Sequence, residues 1–317
     1  MRVLLATELD LTERERIRNG FPGVEFVEEY DQEKTRDSIA GCEVMLAGRI
    51  TPELLDAASS LKWIMVRSAG VNHLPMEDIA RRGILLTNGS GAHGVPIAEN
   101  TLAMMLAFAT GLYRLIRAQE SRQWIAGEVA PKKFELEGQT LLIAGLGDLG
   151  ITLAGKAKGL GMRIVGVRKS TLDRPEEVDE LIPRGRIHEA LGQADHVALC
   201  LPLTRETTGF LDEHELSAMK PTAYVYNAGR GESIRREALI RALTESWIAG
   251  AGLDTTDPEP LPQDDPLWSF PNVILSQHTS GSSPMNSRRI ADLFMDNLRR
   301  YRAGEPLLNL VDPERRY

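Results

Sequence analysis

The chain has 317 residues, of which 42% are apolar and 26% charged, and it carries a formal net charge of −8. That balance describes an ordinary globular protein long enough for two domains and excludes a disordered or low-complexity chain. It also argues against nucleic acid as partner, because phosphate backbones require clustered Lys and Arg.

Residues 1–97 alternate short apolar segments with short helical ones. Strands are predicted at 3–6, 24–27, 44–47, 63–66 and 84–87. Helix starts between them include Thr12 with Glu15 as a capping box, and Thr51 as N-cap before Pro52 and Glu53. Such alternation implies a small parallel sheet covered by helices. From Ala98 runs A-E-N-T-L-A-M-M-L-A-F-A-T-G-L-Y-R-L-I-R-A, too apolar for a one-sided stripe. A long helix covered on most of its surface is expected, with a second copy of the chain as one source of cover, so a homodimer is predicted, with Trp124 in the same arm.

Next comes T-L-L-I-A-G-L-G-D-L-G from Thr140 to Gly150, then a helical run to Gly161 and M-R-I-V-G-V-R-K-S to Ser170. Strand, turn, helix and second strand are the setting a dinucleotide fingerprint requires, so Gly145, Leu146, Gly147, Asp148, Leu149 and Gly150 are candidate cofactor residues. Gly145 permits the tight turn, Gly147 lets a pyrophosphate approach the helix N-terminus, and Gly150 allows helix to pack on strand. NAD would call for a carboxylate about 20 residues on, yet the second strand ends in Arg168, Lys169 and Ser170. Two cations and a hydroxyl suit a 2′-phosphate, which points to NADP(H), with NAD(H) as the alternative and a solvated surface pair as the bland one.

Further strands at 196–201, 223–227, 248–253 and 273–276 bring this domain to six parallel strands. Ser283 and Pro284 open a last helix over 285–302, and the tail L-L-N-L-V-D-P is expected to return to the first domain. The predicted fold class is therefore α/β with two Rossmann-like domains. A doubly wound six-stranded parallel nucleotide domain, 98–284, is inserted in a smaller flavodoxin-like substrate domain, 1–97 with 285–317. Two crossings of the chain make a hinge, and the active site is expected in the cleft.

Three segments fall at C-terminal ends of late strands, where ligands of open α/β sheets bind: N-A-G-R-G from Asn227, D-T-T-D-P-E-P from Asp254, and S-Q-H-T-S-G from Ser276. Singly, Arg230, Glu259 and His278 have ordinary structural explanations. Jointly they supply a cation for a carboxylate and a carbonyl, an acid for a proton, and a carboxylate that favours the charged imidazole. Reduction of a 2-oxo acid needs that set. Cys42 and Cys200, the only cysteines, sit in apolar strand contexts, and no Cys/His pair has zinc-ligand spacing, so neither disulfide nor metal is expected. The N-terminus meets acidic residues too soon for a signal-peptide core, and no apolar run approaches the ~18 residues of a membrane span. A cytoplasmic location with no membrane association is predicted.

These motifs together resemble the D-isomer-specific 2-hydroxyacid dehydrogenases along nearly the whole chain. The match runs through S-A-G-V-N-H-L-P from Ser68, A-E-N-T-L-A from Ala98, the glycine fingerprint, and L-P-L-T-R-E-T-T-G-F-L from Leu201. It continues through N-A-G-R-G, G-L-D-T-T-D-P-E-P-L-P from Gly252, and the histidine segment. The resemblance implies that Arg230 binds the substrate carboxylate and carbonyl, that His278 is the general acid/base and that Glu259 orients and charges it. It places Asp254 on the nicotinamide carboxamide, the amides of Ala69 and Gly70 on the substrate carboxylate, and Leu201, Pro202, Asn227, Ala228 and Gly229 along the cofactor. Gln277 departs from the family's frequent proline and implies a local change in the loop, and Asn72 replaces a frequent aspartate. His93 either touches substrate or holds G-A-H-G-V-P together. His73, His188, His196 and His214 match no catalytic position.

Glutamate at 259 argues against the formate dehydrogenases, which carry glutamine there. Compact length and the Arg168, Lys169, Ser170 set resemble the NADP-linked glyoxylate/hydroxypyruvate reductases. The expected activity is reduction of small 2-oxo acids to D-2-hydroxy acids. An NAD-linked dehydrogenase of the phosphoglycerate or D-lactate type is the alternative, and a nucleotide-sensing corepressor-like binding protein is the alternative of another class.

Overall fold

A computed structural model describes residues 1–169 and 173–312. The chain divides into two compact units, Met1–His93 with Ser283–Tyr317, and Gly94–Ser282, a few residues N-terminal of the divisions read from the sequence.

In the first unit β1 (Arg2–Ala6), β2 (Glu25–Glu28), β3 (Val44–Ala47), β4 (Trp63–Val66) and β5 (Leu85–Thr87) form one parallel sheet in the order β2-β1-β3-β4-β5. That is the flavodoxin-like strand order. The central strands β1, β3 and β4 are buried and are accordingly continuous apolar runs, whereas the edge strand β2, E-F-V-E, is partly exposed. Leu4, Met45, Ile64 and Val66 face a core completed by α2 (Gln32–Ser38), α3 (Pro52–Ala57) and α4 (Met76–Arg81). Val3, Leu5, Val44, Leu46, Trp63 and Met65 face α1 (Leu11–Gly20) and the C-terminal helix Asn286–Ala303.

The predicted start of α3 is present, with Thr51 Oγ1 accepting from the Leu54 N–H at 3.3 Å and Pro52 in the first turn. The predicted capping box on Thr12 is not. Helix α1 begins at Leu11 behind Asp10, whose carbonyl accepts from the Glu13 and Arg14 amides, so Thr12 already lies inside the first turn. At the other end of the chain, Trp63 stacks on Phe294 and Tyr301 with ring centroids 5.5 and 5.4 Å away, and its Nε1–H donates to Thr87 Oγ1 at 3.0 Å. The tail closes on the sheet, where the Val311 N–H donates to Leu86 O at 2.8 Å.

The second unit carries β6 (Thr140–Ala144), β7 (Arg163–Arg168), β8 (Glu180–Pro183), β9 (His196–Leu199), β10 (Tyr224–Asn227), β11 (Gly250–Leu253) and β12 (Val273–Leu275). Its parallel sheet runs β12-β11-β10-β9-β6-β7-β8, a doubly wound order with the reversal between β6 and β9. The sequence predicted six strands; the described residues form seven. The extra one is β8, a half-exposed edge strand reading E-L-I-P, which lacks the buried apolar run that marks the others.

On one face lie α5 (Gly94–Thr110), α6 (Leu112–Glu120), α7 (Ala126–Val129) and α8 (Asp148–Lys158), with Met105, Phe108, Leu153 and Ala157 packed on Leu141 and Ile143. On the other, α9 (Ile187–Leu191), α10 (Glu213–Ser217) and α11 (Arg236–Thr244) cover Leu142 and Val225. The long helix expected from Ala98 is two. It starts at Gly94 and bends by 76° at Gly111, which has φ +70°. Among the described residues no single helix is long and apolar enough to cross a membrane.

Candidate active site

The turn from β6 into α8 is built by its glycines. Gly145 has φ +96°, and a Cβ there would lie 2.5 Å from Cys200 O. A Cβ on Gly150 would lie 2.0 Å from Gly145 O, so only glycine lets the helix sit this close to the strand end. Gly147, the N-cap of α8, has nothing within 4 Å of its Cβ position. The helix N-terminus with its unpaired N–H groups therefore opens onto free space, which fits the pyrophosphate of a dinucleotide. The other fingerprint residues pack. Leu146 fills the space over Gly166, Leu149 lies against the α5–α8 core, and Asp148 abuts the start of α5 at Gly94.

At the end of β7 stand Arg168 and then Lys169; Ser170 lies outside the described residues. Lys169 Nζ is 2.7 Å from Glu206 Oε2, which Arg184 Nη1 also approaches at 3.4 Å. The hydrogen bond from Lys169 holds the Glu206 carboxyl below its ordinary range. Sequence reasoning missed Arg184 and Glu206, because they reach this corner from the loops after β8 and β9. Leu201 and Pro202 follow β9, where Leu201 O meets the turn at Gly229 and Pro202 O accepts from Thr207 Oγ1 at 2.5 Å.

The turn after β10 is clamped by Asn227. Its Nδ2 donates to Arg230 O at 2.8 Å and its Oδ1 accepts from the Gly229 N–H at 3.2 Å, holding Ala228 and Gly229 in a tight loop. Arg230 is half-buried, with Nη1 donating to Gly229 O at 2.8 Å. A Cβ on Gly231 would lie 1.9 Å from Thr256 O. The arginine turn thus abuts the turn that carries Glu259. There Glu259 Oε1 accepts from the Thr256 N–H at 3.1 Å, while Oε2 stands 2.8 Å from His278 Nδ1.

Asp254 ties the histidine loop to β11. Its carboxylate accepts from Ser276 Oγ at 2.7 Å, from the Ser280 N–H at 3.2 Å and from Ser280 Oγ, and its carbonyl accepts from the His278 N–H at 2.6 Å. Asn100 on α5 donates to Ser276 Oγ at 3.0 Å. Gln277 and His278 have φ +52° and +54°. Proline, fixed near −65°, cannot adopt the conformation of Gln277, so the departure from the family pattern marks a real difference in this loop. Two left-handed non-glycine residues cost about 1 kcal/mol or more each, and the bonds to Asp254 and Glu259 hold them there.

His278 and Glu259 border a cavity of about 410 Å³ whose apolar wall includes Leu253, Leu261, Trp268 and Leu275. Both remain partly accessible, with 52% and 37% of their side chains exposed. A carboxylate oxygen on Nδ1 favours the proton there and leaves Nε2 able to accept or release one. A guanidinium, a proton-exchanging imidazole and an aligning carboxylate are what a reaction at a carbonyl beside a carboxylate requires.

The remaining candidates belong to the first unit. Ala69 and Gly70 follow β4 in a loop pinned from β5, with Asn88 Nδ2 donating to Ala69 O at 2.8 Å and the Gly89 N–H to Ser68 O at 2.9 Å. Within that unit His93 holds Arg67 O at 2.9 Å through Nε2 and meets Asn286 Nδ2 at 3.3 Å through Nδ1. Of its two open roles, this favours holding the loop. His196 is wholly buried between Gln139 and Tyr226 and takes no part in the site.

Residues 102–280 match the profile of the D-isomer specific 2-hydroxyacid dehydrogenase NAD binding domain. A glyoxylate reductase of Thermococcus gammatolerans is 36% identical over 289 residues, spanning 89% of this chain and 85% of its own. A D-isomer specific 2-hydroxyacid dehydrogenase family protein of Aeromonas salmonicida superposes with a TM-score of 0.87 at 30% identity, over 98% of this chain and 99% of that one. The NADPH-dependent glyoxylate/hydroxypyruvate reductase of Sinorhizobium meliloti shares the fold, with a TM-score of 0.85 at 24% identity over 100% and 99% of the two chains. With the fingerprint turn and the His278–Glu259 pair in one unit, and relatives matched along most of their length, the chain belongs to the D-isomer specific 2-hydroxyacid dehydrogenase family of NAD(P)-dependent oxidoreductases.

Proposed function

We propose that this protein reduces small 2-oxo acids of the glyoxylate or hydroxypyruvate kind to D-2-hydroxy acids, with NADPH as the preferred reductant. The observation that carries this reading is the 2.8 Å contact between His278 Nδ1 and Glu259 Oε2. The dinucleotide, when bound, supplies the reducing hydride. Arg230 binds the substrate carboxylate and polarises its carbonyl, and His278 Nε2 delivers the proton to the carbonyl oxygen. Glu259 keeps the ring oriented and offsets its positive charge. The amides of Ala69 and Gly70 are assigned to the substrate carboxylate, and Asp254, fixed by Ser276 and Ser280, to the carboxamide end of the cofactor.

NADPH preference is supported by Arg168 and Lys169 at the end of β7, where an NAD-selective chain would carry an acid. The NAD-linked reading has one observation of its own, since Glu206 already partners Lys169 and Arg184. Homodimerisation is supported by Leu106, Leu112 and Ile116, exposed on α5 and α6, and by Trp124, which is 95% exposed. Two free cysteines accord with the reducing cytoplasm. The test is steady-state oxidation of NADPH and of NADH with glyoxylate, hydroxypyruvate, pyruvate and a branched 2-oxo acid. A preference for NADPH above about tenfold in kcat/KM, with turnover lost in His278→Ala, is the expected result. Equal or better use of NADH would return Lys169 to its ion pair, and absence of turnover would remove the reaction itself.

A further inference from the structure

Outside the active site, two histidines and a glutamate of the second unit converge on one point. Ile187 and Leu191 of α9 and Leu216 of α10 are buried in the same core, so these short helices are rooted side by side. Gly192, which ends α9, faces Ala218 O at the end of α10. His188 follows Ile187, and His214 and Glu215 precede Leu216, which brings the three polar side chains to the rim of the helix pair.

Glu215 is held from behind. Its Oε2 accepts from the Asp212 N–H at 3.1 Å in the capping box of α10. Its Oε1 lies 3.2 Å from His188 Nε2 and 3.8 Å from His214 Nδ1, and the two rings stand 4.1 Å apart between centroids. One donor atom from each residue lies within 4.8 Å of the other two.

The 3.2 Å contact would also serve a direct ion pair, whereas 3.8 Å is long for one, and both lie near the separation of ligands that share an ion. A charge-assisted hydrogen bond closes to about 2.7–2.9 Å. Three ligands held at about 2.0–2.2 Å from a tetrahedral ion stand roughly 3.3 Å from one another. Two imidazoles and one carboxylate are also a borderline-soft donor set, suited to Zn²⁺ and not to Mg²⁺ or Ca²⁺.

We propose that His188, His214 and Glu215 form a Zn²⁺ site that staples α9 to α10 in the nucleotide-binding unit. The ion takes His188 Nε2, His214 Nδ1 and Glu215 Oε1, with solvent completing the shell. The site shares no residue with the His278–Glu259 pair, and its task is to stabilise the fold.

The test uses untagged full-length protein, stripped with EDTA and then titrated with ZnCl₂ by calorimetry and by thermal unfolding. One equivalent of Zn²⁺ should bind per chain, and at a concentration about tenfold above Kd the Tm should rise by about 2–4 °C. His214, with 80% of its side chain exposed, can be removed without touching the core. His214→Ala should therefore unfold at the Tm of the stripped wild type while binding Zn²⁺ at least about tenfold more weakly, and His188→Gln should behave likewise. His278→Ala should bind Zn²⁺ as the wild type does. The proposal is overturned by an absent Zn²⁺ response in the wild type, by an undiminished one in His214→Ala, or by its loss in His278→Ala.

Discussion

Glu259 Oε2 occupies Nδ1 of His278, so Nε2 is the ring nitrogen that the pair leaves uncovered. With Oε1 anchored on the Thr256 amide and Oε2 on Nδ1, the carboxylate cannot rotate away without breaking a backbone bond as well. In Glu259→Gln the ring can still be hydrogen-bonded but loses its anionic partner. We expect kcat for 2-oxo acid reduction to fall about 10- to 100-fold with cofactor KM unchanged, against about 10²–10⁴-fold for His278→Ala. Equal kcat in Glu259→Gln and wild type would remove Glu259 from the mechanism. Arg230, Glu259 and His278 were legible in the sequence because each lies just past a strand that an apolar run reveals. The partners that hold them were not. Ser280 and Asn100 reach Asp254 and Ser276 from distant segments, and the left-handed backbone of Gln277 and His278 has no sequence signature, since neither is glycine or asparagine.

His196 shows a second residue-scale effect, on stability. Gln139 Oε1 can only accept, so Nε2 carries the proton and Nδ1 accepts from the Tyr226 hydroxyl, at 2.6 and 3.0 Å. Burial lowers its pKa from 6.5 to about 4, against a smaller upward pull from Asp195. Between those values the unfolded chain binds the proton and the folded chain does not, so stability falls as pH drops from about 6.5 to 4, by about 3 kcal/mol in all. In urea titrations at several pH values, His196→Phe should be less stable at pH 7, because Gln139 and Tyr226 lose their partner, yet show a shallower slope across that window. A slope identical to wild type would mean that His196 is already protonated in the folded chain.

At the scale of elements, the sharpest difference from the sequence reading is the break between α5 and α6. The apolar run continues through Thr110, Gly111 and Leu112, so hydrophobic periodicity gives no stop there. What ends α5 is conformational. Gly111 takes φ +70°, and a Cβ would lie 2.5 Å from Val129 Cγ1 on α7. Gly111→Ala should therefore cost about 1–3 kcal/mol in urea unfolding, since left-handed strain and overpacking add. A neutral or stabilising effect would indicate that the two helices can merge. Edge strand β8 was missed for a related reason. It is paired through its backbone, Gly166 to Leu181 and Val167 to Ile182, and a two-sided hydrophobic signal is absent from a half-exposed edge.

For the molecule as a whole, the discontinuous unit depends on both ends of the chain and the continuous one on neither. Ile290, Ala291, Phe294 and Leu298 of the C-terminal helix are fully buried against Val3, Leu5, Val44 and Trp63. Removing three large apolar side chains from such a face forfeits about 1.5–3 kcal/mol each, comparable with the whole stability of a domain. Residues 94–282, by contrast, contain both faces of the seven-stranded sheet and the complete β6–α8 turn. The fragment 94–282 should accordingly fold alone and bind NADPH within about tenfold of the full chain, that is within about 1.4 kcal/mol, while reducing no 2-oxo acid. A chain ending at 282 should keep the same cofactor affinity but show its first unit unfolded by hydrogen exchange, with rapid exchange across β1, β3 and β4. Protection of those strands in the shortened chain would show that the sheet stands without its last helix. Loss of NADPH binding in the fragment would show instead that cofactor affinity draws on residues of the first unit, and the glycine turn would then be only part of the cofactor site.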